Sequence, residues 1–172
     1  YDAENRLLAQ TDANGRVTSY TYDANGRRKS ATLPGGQGET YDYDARGNAF
    51  RTTDRKGNAL VDEFDLAQRR VARNYPGGSR IEFTFTPTDG IATATDSRGV
   101  TSYTYDLRDR IARIDNPDGS TLAYGYDAVG NRISVTAKTA AAAAPRTTTY
   151  TYDALNRLST ASGPGGLVTT HA

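Results

Sequence analysis

Apolar and polar residues alternate along this chain in short runs. The stretches VTSYTY (17–22), GETYDY (38–43), TSYTY (101–105) and TLAYGY (121–126) place an aromatic at every second position, with Thr, Ser, Asp or Gly between. A period of two puts both rings on one face of an extended strand and leaves the other face polar, the pattern of a half-buried antiparallel sheet. The segments that follow, such as RVARN, RIARID and NRISVT, alternate again and supply return strands. The pattern predicts an all-β chain of antiparallel β-hairpins.

The hairpins repeat. Aligned on an aromatic followed by Asp, the chain reads Tyr1-Asp2, Tyr22-Asp23, Tyr43-Asp44, Phe64-Asp65, Phe85-Thr86, Tyr105-Asp106, Tyr126-Asp127 and Tyr152-Asp153. The steps between them are 21, 21, 21, 21, 20, 21 and 26 residues. So steady a period marks an array in which each unit buries its apolar face against its neighbours. Residues 1–172 therefore read as one array of about eight units, with a loop insertion near 137–146 that accounts for the long step. A second aromatic stands two positions earlier in six of the units, Asp62 being the departure beside Phe64. Eleven of the 12 tyrosines occupy these two positions, and Tyr75 is the exception. The aromatic content is spent on one stripe.

After each aromatic-Asp pair come two variable residues and then one that tolerates positive φ: Gly26, Gly47, Gly130, Asn5, Asn156, Asp89 or Asp109, with Gln68 as the misfit. Asp at the first turn position accepts backbone N–H bonds from residues just ahead, and Gly, Asn or Asp fits the left-handed corner. Thr86 lacks the carboxylate, but Pro87 behind it has the fixed φ that such a turn needs. A second turn closes each unit, alternating between Asp-x-x-Gly forms (DANG, DRKG, DSRG) and Pro-Gly forms (LPGG, YPGG, NPDG, GPGG). That alternation superposes a weaker period of about 42 residues. Roughly 16 strands at ~4.8 Å spacing would run ~75 Å, and an open sheet that long is expected to curl into a curved ribbon or wall. Both ends cut a repeat, which predicts a piece of a longer array.

The stretches YDANGR, YDARGN, YDAVGNR and YDALNR, each preceded by YT, YD or YG, resemble the YD repeat of the Rhs family, found in bacterial polymorphic toxins, in toxin-complex shell components and more distantly in teneurins. The resemblance runs over essentially the whole chain. It implies a spiralling sheet forming part of a hollow shell, the rest of a longer YD-repeat chain as partner, and in bacterial members an enclosed C-terminal toxin. It also implies a secreted or cell-surface bacterial setting, with any export signal outside this stretch. Phe64, Phe85, Thr86, Gln68 and Asp62 depart from the signature, so the middle units are degenerate.

Composition narrows the remaining chemistry. Lys+Arg number 21 and Asp+Glu 20, interspersed, so no global field recruits nucleic acid or an anionic membrane. No Cys is present, which removes disulfides and thiolate metal sites. The longest apolar run, Ala140–Ala144, is far short of the ~20 residues of a membrane-spanning helix. His171, the only histidine, sits at the tail without an evident orienting partner. The Asp residues recur at one turn position, which turn geometry explains better than catalysis. GGQGET (35–40) and DNPDG (115–119) each resemble a calcium-binding stretch but occur once. The reading is a non-catalytic structural segment with no cofactor or metal; the alternative is a surface module binding a glycan or a protein through its aromatic face.

Overall fold

The structure is a computed structural model, and it describes residues 1–141, 144–166 and 168–170. His171 lies outside the described residues, as do Ala142 and Ala143 of the insertion. Among the described residues there are sixteen strands and no helix. They are β1 (Ala9–Thr11), β2 (Val17–Tyr22), β3 (Arg28–Thr32), β4 (Gly38–Tyr43), β5 (Ala49–Thr53), β6 (Ala59–Phe64), β7 (Arg70–Asn74) and β8 (Arg80–Phe85). Then come β9 (Ile91–Asp96), β10 (Gly99–Tyr105), β11 (Ile111–Asp115), β12 (Thr121–Tyr126), β13 (Arg132–Lys138), β14 (Arg146–Tyr152), β15 (Leu158–Ser162) and β16 (Val168–Thr170). Their order in the sheet is their order in the sequence.

The chain divides into two compact units, Tyr1–Glu82 and Phe83–Ala172. In the first, each strand from β1 to β7 pairs antiparallel with the next, as in Tyr20↔Ala31 and Tyr41↔Thr52. In the second the same ladder runs from β9 to β16, as in Tyr103↔Ile114, Tyr124↔Val135 and Tyr150↔Ala161. Six hairpins carry a bulge at the same place. Lys29, Phe50, Val71, Ala112, Ile133 and Ser159 are the extra residues, each on the return strand opposite the signature aromatic.

The alternation foreseen from the period holds in the faces. Along β2, Thr18, Tyr20 and Tyr22 are half-buried while Val17, Ser19 and Thr21 are exposed, and β14 repeats this with Thr148, Tyr150 and Tyr152. Within each unit the rings are half-buried against the neighbouring strands of the ladder. Among the described residues the single fully buried one is Ala72, 1% exposed. A stack of hairpins held in this way has neighbour contacts in place of a central core.

The two irregular steps have local causes. Between β9 and β10, Asp96 pairs with Gly99 across a two-residue loop, whereas the regular turns at that edge leave five residues outside the ladder, as between Thr32 and Gly38. The short loop is only partly offset by longer strands, and the step shrinks to 20. At the other irregular step, β13 runs to Lys138 and β14 begins at Arg146, so the extra residues fall in the loop between them.

Candidate functional site

The repeating turn is built by its carboxylate. Asp23 Oδ1 accepts the N–H groups of Asn25 and Arg27, both at 2.9 Å, and Oδ2 accepts Arg27 Nε at 2.7 Å. Asp2, Asp65, Asp106 and Asp153 do the same with Arg6, Arg69, Arg110 and Arg157, while Asp44 and Asp127 receive the Nδ2 of Asn48 and Asn131. At the odd turn, the Thr86 hydroxyl accepts Gly90 N–H at 3.0 Å. The corner residues all take positive φ, including the misfit Gln68 at 63° and Gly26 at 77°. Ionisation is favoured in this cradle: Arg110 Nε and Nη2 hold the Asp106 carboxyl down at about 2, helped by backbone N–H groups and opposed by partial burial.

The signature tyrosines reach backward to the preceding unit. Tyr22 donates its hydroxyl to the Leu7 carbonyl at 2.9 Å, Tyr43 to Arg28, Tyr105 to Ile91, Tyr126 to Ile111 and Tyr152 to Arg132. The acceptor lies where pairing between two hairpins has stopped. For β3 and β4 the ladder ends at Ser30↔Thr40, and the Arg28 carbonyl beyond it takes the Tyr43 hydroxyl. A strand carbonyl left outside the ladder takes another partner, and here a side chain from the next repeat supplies one.

The turn arginine completes the tie. Held by its own Asp, Arg6 lies over the ring of Tyr22 at 5.1 Å, Arg27 over Tyr43 at 4.5 Å and Arg110 over Tyr126 at 4.3 Å. Arg27 and Arg110 also donate to the Asp44 and Asp127 carbonyls. Each rung thus runs Asp, Arg, then the Tyr of the next unit. Such a stacked cation contributes roughly 0.5–1 kcal/mol near the surface and the hydroxyl bond about 0.5–1.5 kcal/mol. Where Thr86 and Gly90 replace Asp and Arg, the Tyr105 ring lies directly on the glycine; a Cβ there would stand 2.9 Å from its Cζ. At the turn tips, Arg46 reaches the Leu66 carbonyl at 2.7 Å and Arg108 reaches that of Ala128.

The sequence shows the tyrosine stripe and the turn aspartates but not these rungs. A signal was present: the signature position carries Tyr more often than Phe although packing alone would accept either, and Arg recurs four residues after the Asp. Asp62, the departure in the stripe, faces Arg73 across β6 and β7 and forms an ion pair there at 2.7 Å.

The other stretches resolve into structure. In GGQGET, Gly36 closes a turn onto the Leu33 carbonyl, and Glu39 bonds Tyr41 and Arg55. In DNPDG, Asp115 pairs with Arg113 and Asp118 accepts the Ser120 N–H. Among the described residues no three His, Cys, Asp or Glu groups converge on a metal-sized site, and no helix is long and apolar enough to cross a membrane. Open grooves line the second edge, one bounded by Leu33, Pro34 and Gln37, another by Leu60, Tyr75 and Pro76, a third by Pro117 and Ser120.

Comparison with known proteins agrees with the repeat. The family model RHS Repeat matches residues 1–37 and 105–144. No curated protein sequence matches the chain. Among solved structures, TcdB2-TccC3-Cdc42 superposes with a TM-score of 0.75 at 19% identity, covering 92% of this chain and 10% of that one. TcdB2-TccC3 without its hypervariable C-terminal region gives 0.75 at 20% identity over 92% and 10%. The Photorhabdus luminescens Tc holotoxin pore with a mutated TccC3 gives 0.70 at 16% over 94% and 12%. The likeness is one of fold, and this chain spans about a tenth of those chains.

Proposed function

We propose, from the match to the RHS Repeat model over residues 1–37 and 105–144 and from the shared fold, that this chain is a stretch of shell wall in a longer repeat protein, one that encloses an effector segment borne on the same polypeptide. The observation that carries this reading is where the recurring side chains go. Aspartate, arginine and tyrosine, the groups an enzyme or a binding site would use, are spent on joining each hairpin to the next. A wall needs extent and continuity, which neighbour-to-neighbour rungs supply. In this reading the role is non-catalytic and the location secreted or at the surface of a bacterium, a setting supported by the likeness in fold to toxin-complex proteins.

The test uses the full polypeptide. Native protein is treated with protease, and the segment downstream of the repeats is followed by mass spectrometry. Enclosure predicts that this segment survives until the wall is denatured. Cleavage at the same rate as a separately made segment would overturn it. One observation favours a second role on the outer surface: Tyr75, outside the stripe, lines an open groove beside Leu60 and Pro76. Glycan binding lost on Tyr75→Ala would mark that groove as a recognition site.

A further inference from the structure

Inside the first unit the rungs lapse at one step, and charge fills the lapse. Asn48 stands where Arg27 and Arg110 stand in other units, Phe64 has no hydroxyl to donate, and Asp62 replaces the first aromatic of the pair. All three changes fall between the turn before β5 and the end of β6. In their place each face of the sheet carries an ionic network.

On the aromatic face, Arg73 grips Asp62 with two bonds, Nε to Oδ1 and Nη2 to Oδ2, both 2.7 Å. Arg70 Nε stands 3.3 Å from the same carboxylate. The Asp62 side chain is 10% exposed, less than any other carboxylate in an ion pair among the described residues. On the opposite face, Glu63 takes both terminal nitrogens of Arg80, at 2.6 and 3.0 Å, and Asn74 Nδ2 at 3.1 Å. Arg80 also bridges to Glu82 at 2.9 Å and to Asn74 Oδ1 at 2.9 Å. Ala72 pairs across the strands with both Glu63 and Glu82. Its methyl group stands between the two carboxylates that Arg80 bridges, and it is the one fully buried residue among those described.

We propose that β6 to β8 form an ionic latch in the wall, a stretch that loosens as ionic strength rises while the ring-and-hydroxyl rungs elsewhere hold. The physical asymmetry is plain. The exposed Glu63–Arg80–Glu82 bridge is screened by salt; in the rungs elsewhere the less exposed Asp–Arg pairs weaken as well, but ring packing and hydroxyl-to-carbonyl bonds do not depend on charge and remain. When Arg73 lets go of Asp62, only Arg70 at 3.3 Å remains beside a nearly buried carboxylate, a costly state that favours further separation of the strands over local repair. The latch is therefore where such a wall parts first. This inference goes beyond the shell reading and fails separately from it, because it concerns only how these strands are held.

Hydrogen exchange followed by mass spectrometry on the intact chain tests it. Salt is raised from about 0.01 M to about 1 M, shrinking the screening length from about 30 to about 3 Å. Amides of β6 and β7 are expected to exchange roughly fivefold faster or more at high salt, with β11 to β13 changing less than about twofold. The combined variant Asn48→Arg, Asp62→Tyr, Phe64→Tyr, Arg73→Ile, which grafts the ordinary rung onto this step but keeps the Glu63–Arg80–Glu82 bridge, should shrink the difference, and Arg80→Gln added to it should abolish it. Should that variant fail to fold, Arg80→Gln alone should shrink the salt response of β6 and β7. An equal response of all strands to salt in the unmodified chain would overturn the latch, as would a salt response that survives Arg80→Gln undiminished.

Discussion

The tyrosine hydroxyl is the smallest part whose removal tests the scheme. Tyr126 donates to the Ile111 carbonyl at 3.0 Å under the Arg110 guanidinium. Tyr126→Phe keeps the ring and its cation but leaves that carbonyl without its donor, and a loss of about 0.5–1.5 kcal/mol is expected in denaturant unfolding. Tyr20→Phe, whose hydroxyl has no such backbone acceptor among the bonds described, should change stability by under ~0.5 kcal/mol. At the corner, Gly26→Val forces a β-branched residue into φ 77° and should cost roughly 1–2 kcal/mol, while Gly26→Asn should be much milder. These corners were legible in the sequence because Gly, Asn and Asp advertise positive φ. Gln68 did not advertise it, yet its backbone is carried to 63° by the same Asp-capped turn as its neighbours.

At the scale of the hairpin, the unit of the structure is the 21-residue step. Removing Asp106–Tyr126 joins Tyr105 directly to Asp127, one rung to its equivalent, and the shortened chain should keep its strand circular dichroism and a cooperative unfolding transition. Removing ten residues from the same place shifts turns into strands and should abolish both. The period, the strands and the turn positions could all be read from the alternation of rings and polar residues. Two things could not. The bulge at Lys29, Phe50 and their equivalents leaves no mark on composition, because it arises from how a positive-φ corner sets the register of the return strand. The rungs between units escaped because the arginines have two partners, a carboxylate in their own turn and a ring in the next. Linear spacing shows only the first.

For the molecule as a whole, acid should weaken the array in a defined window. Glu63 is held at about 2 against an ordinary 4.5, mainly by Arg80 and then by Asn74, and Asp106 at about 2 against 3.8, mainly by Arg110. Both values are lowered on folding, so the stabilisation is complete above the unfolded values and drains away as pH falls from about 4.5 towards 2. The melting temperature should be nearly flat from pH 7 to 5.5 and drop below pH 4.5, with a smaller drop in Asp106→Asn. Whether these hairpins serve as wall is decided most directly by an electron cryo-microscopy map of the full-length polypeptide. The account predicts residues 1–172 as one stretch of a closed sheet around an interior that holds the downstream segment. An open ribbon with that segment free in solvent would contradict it.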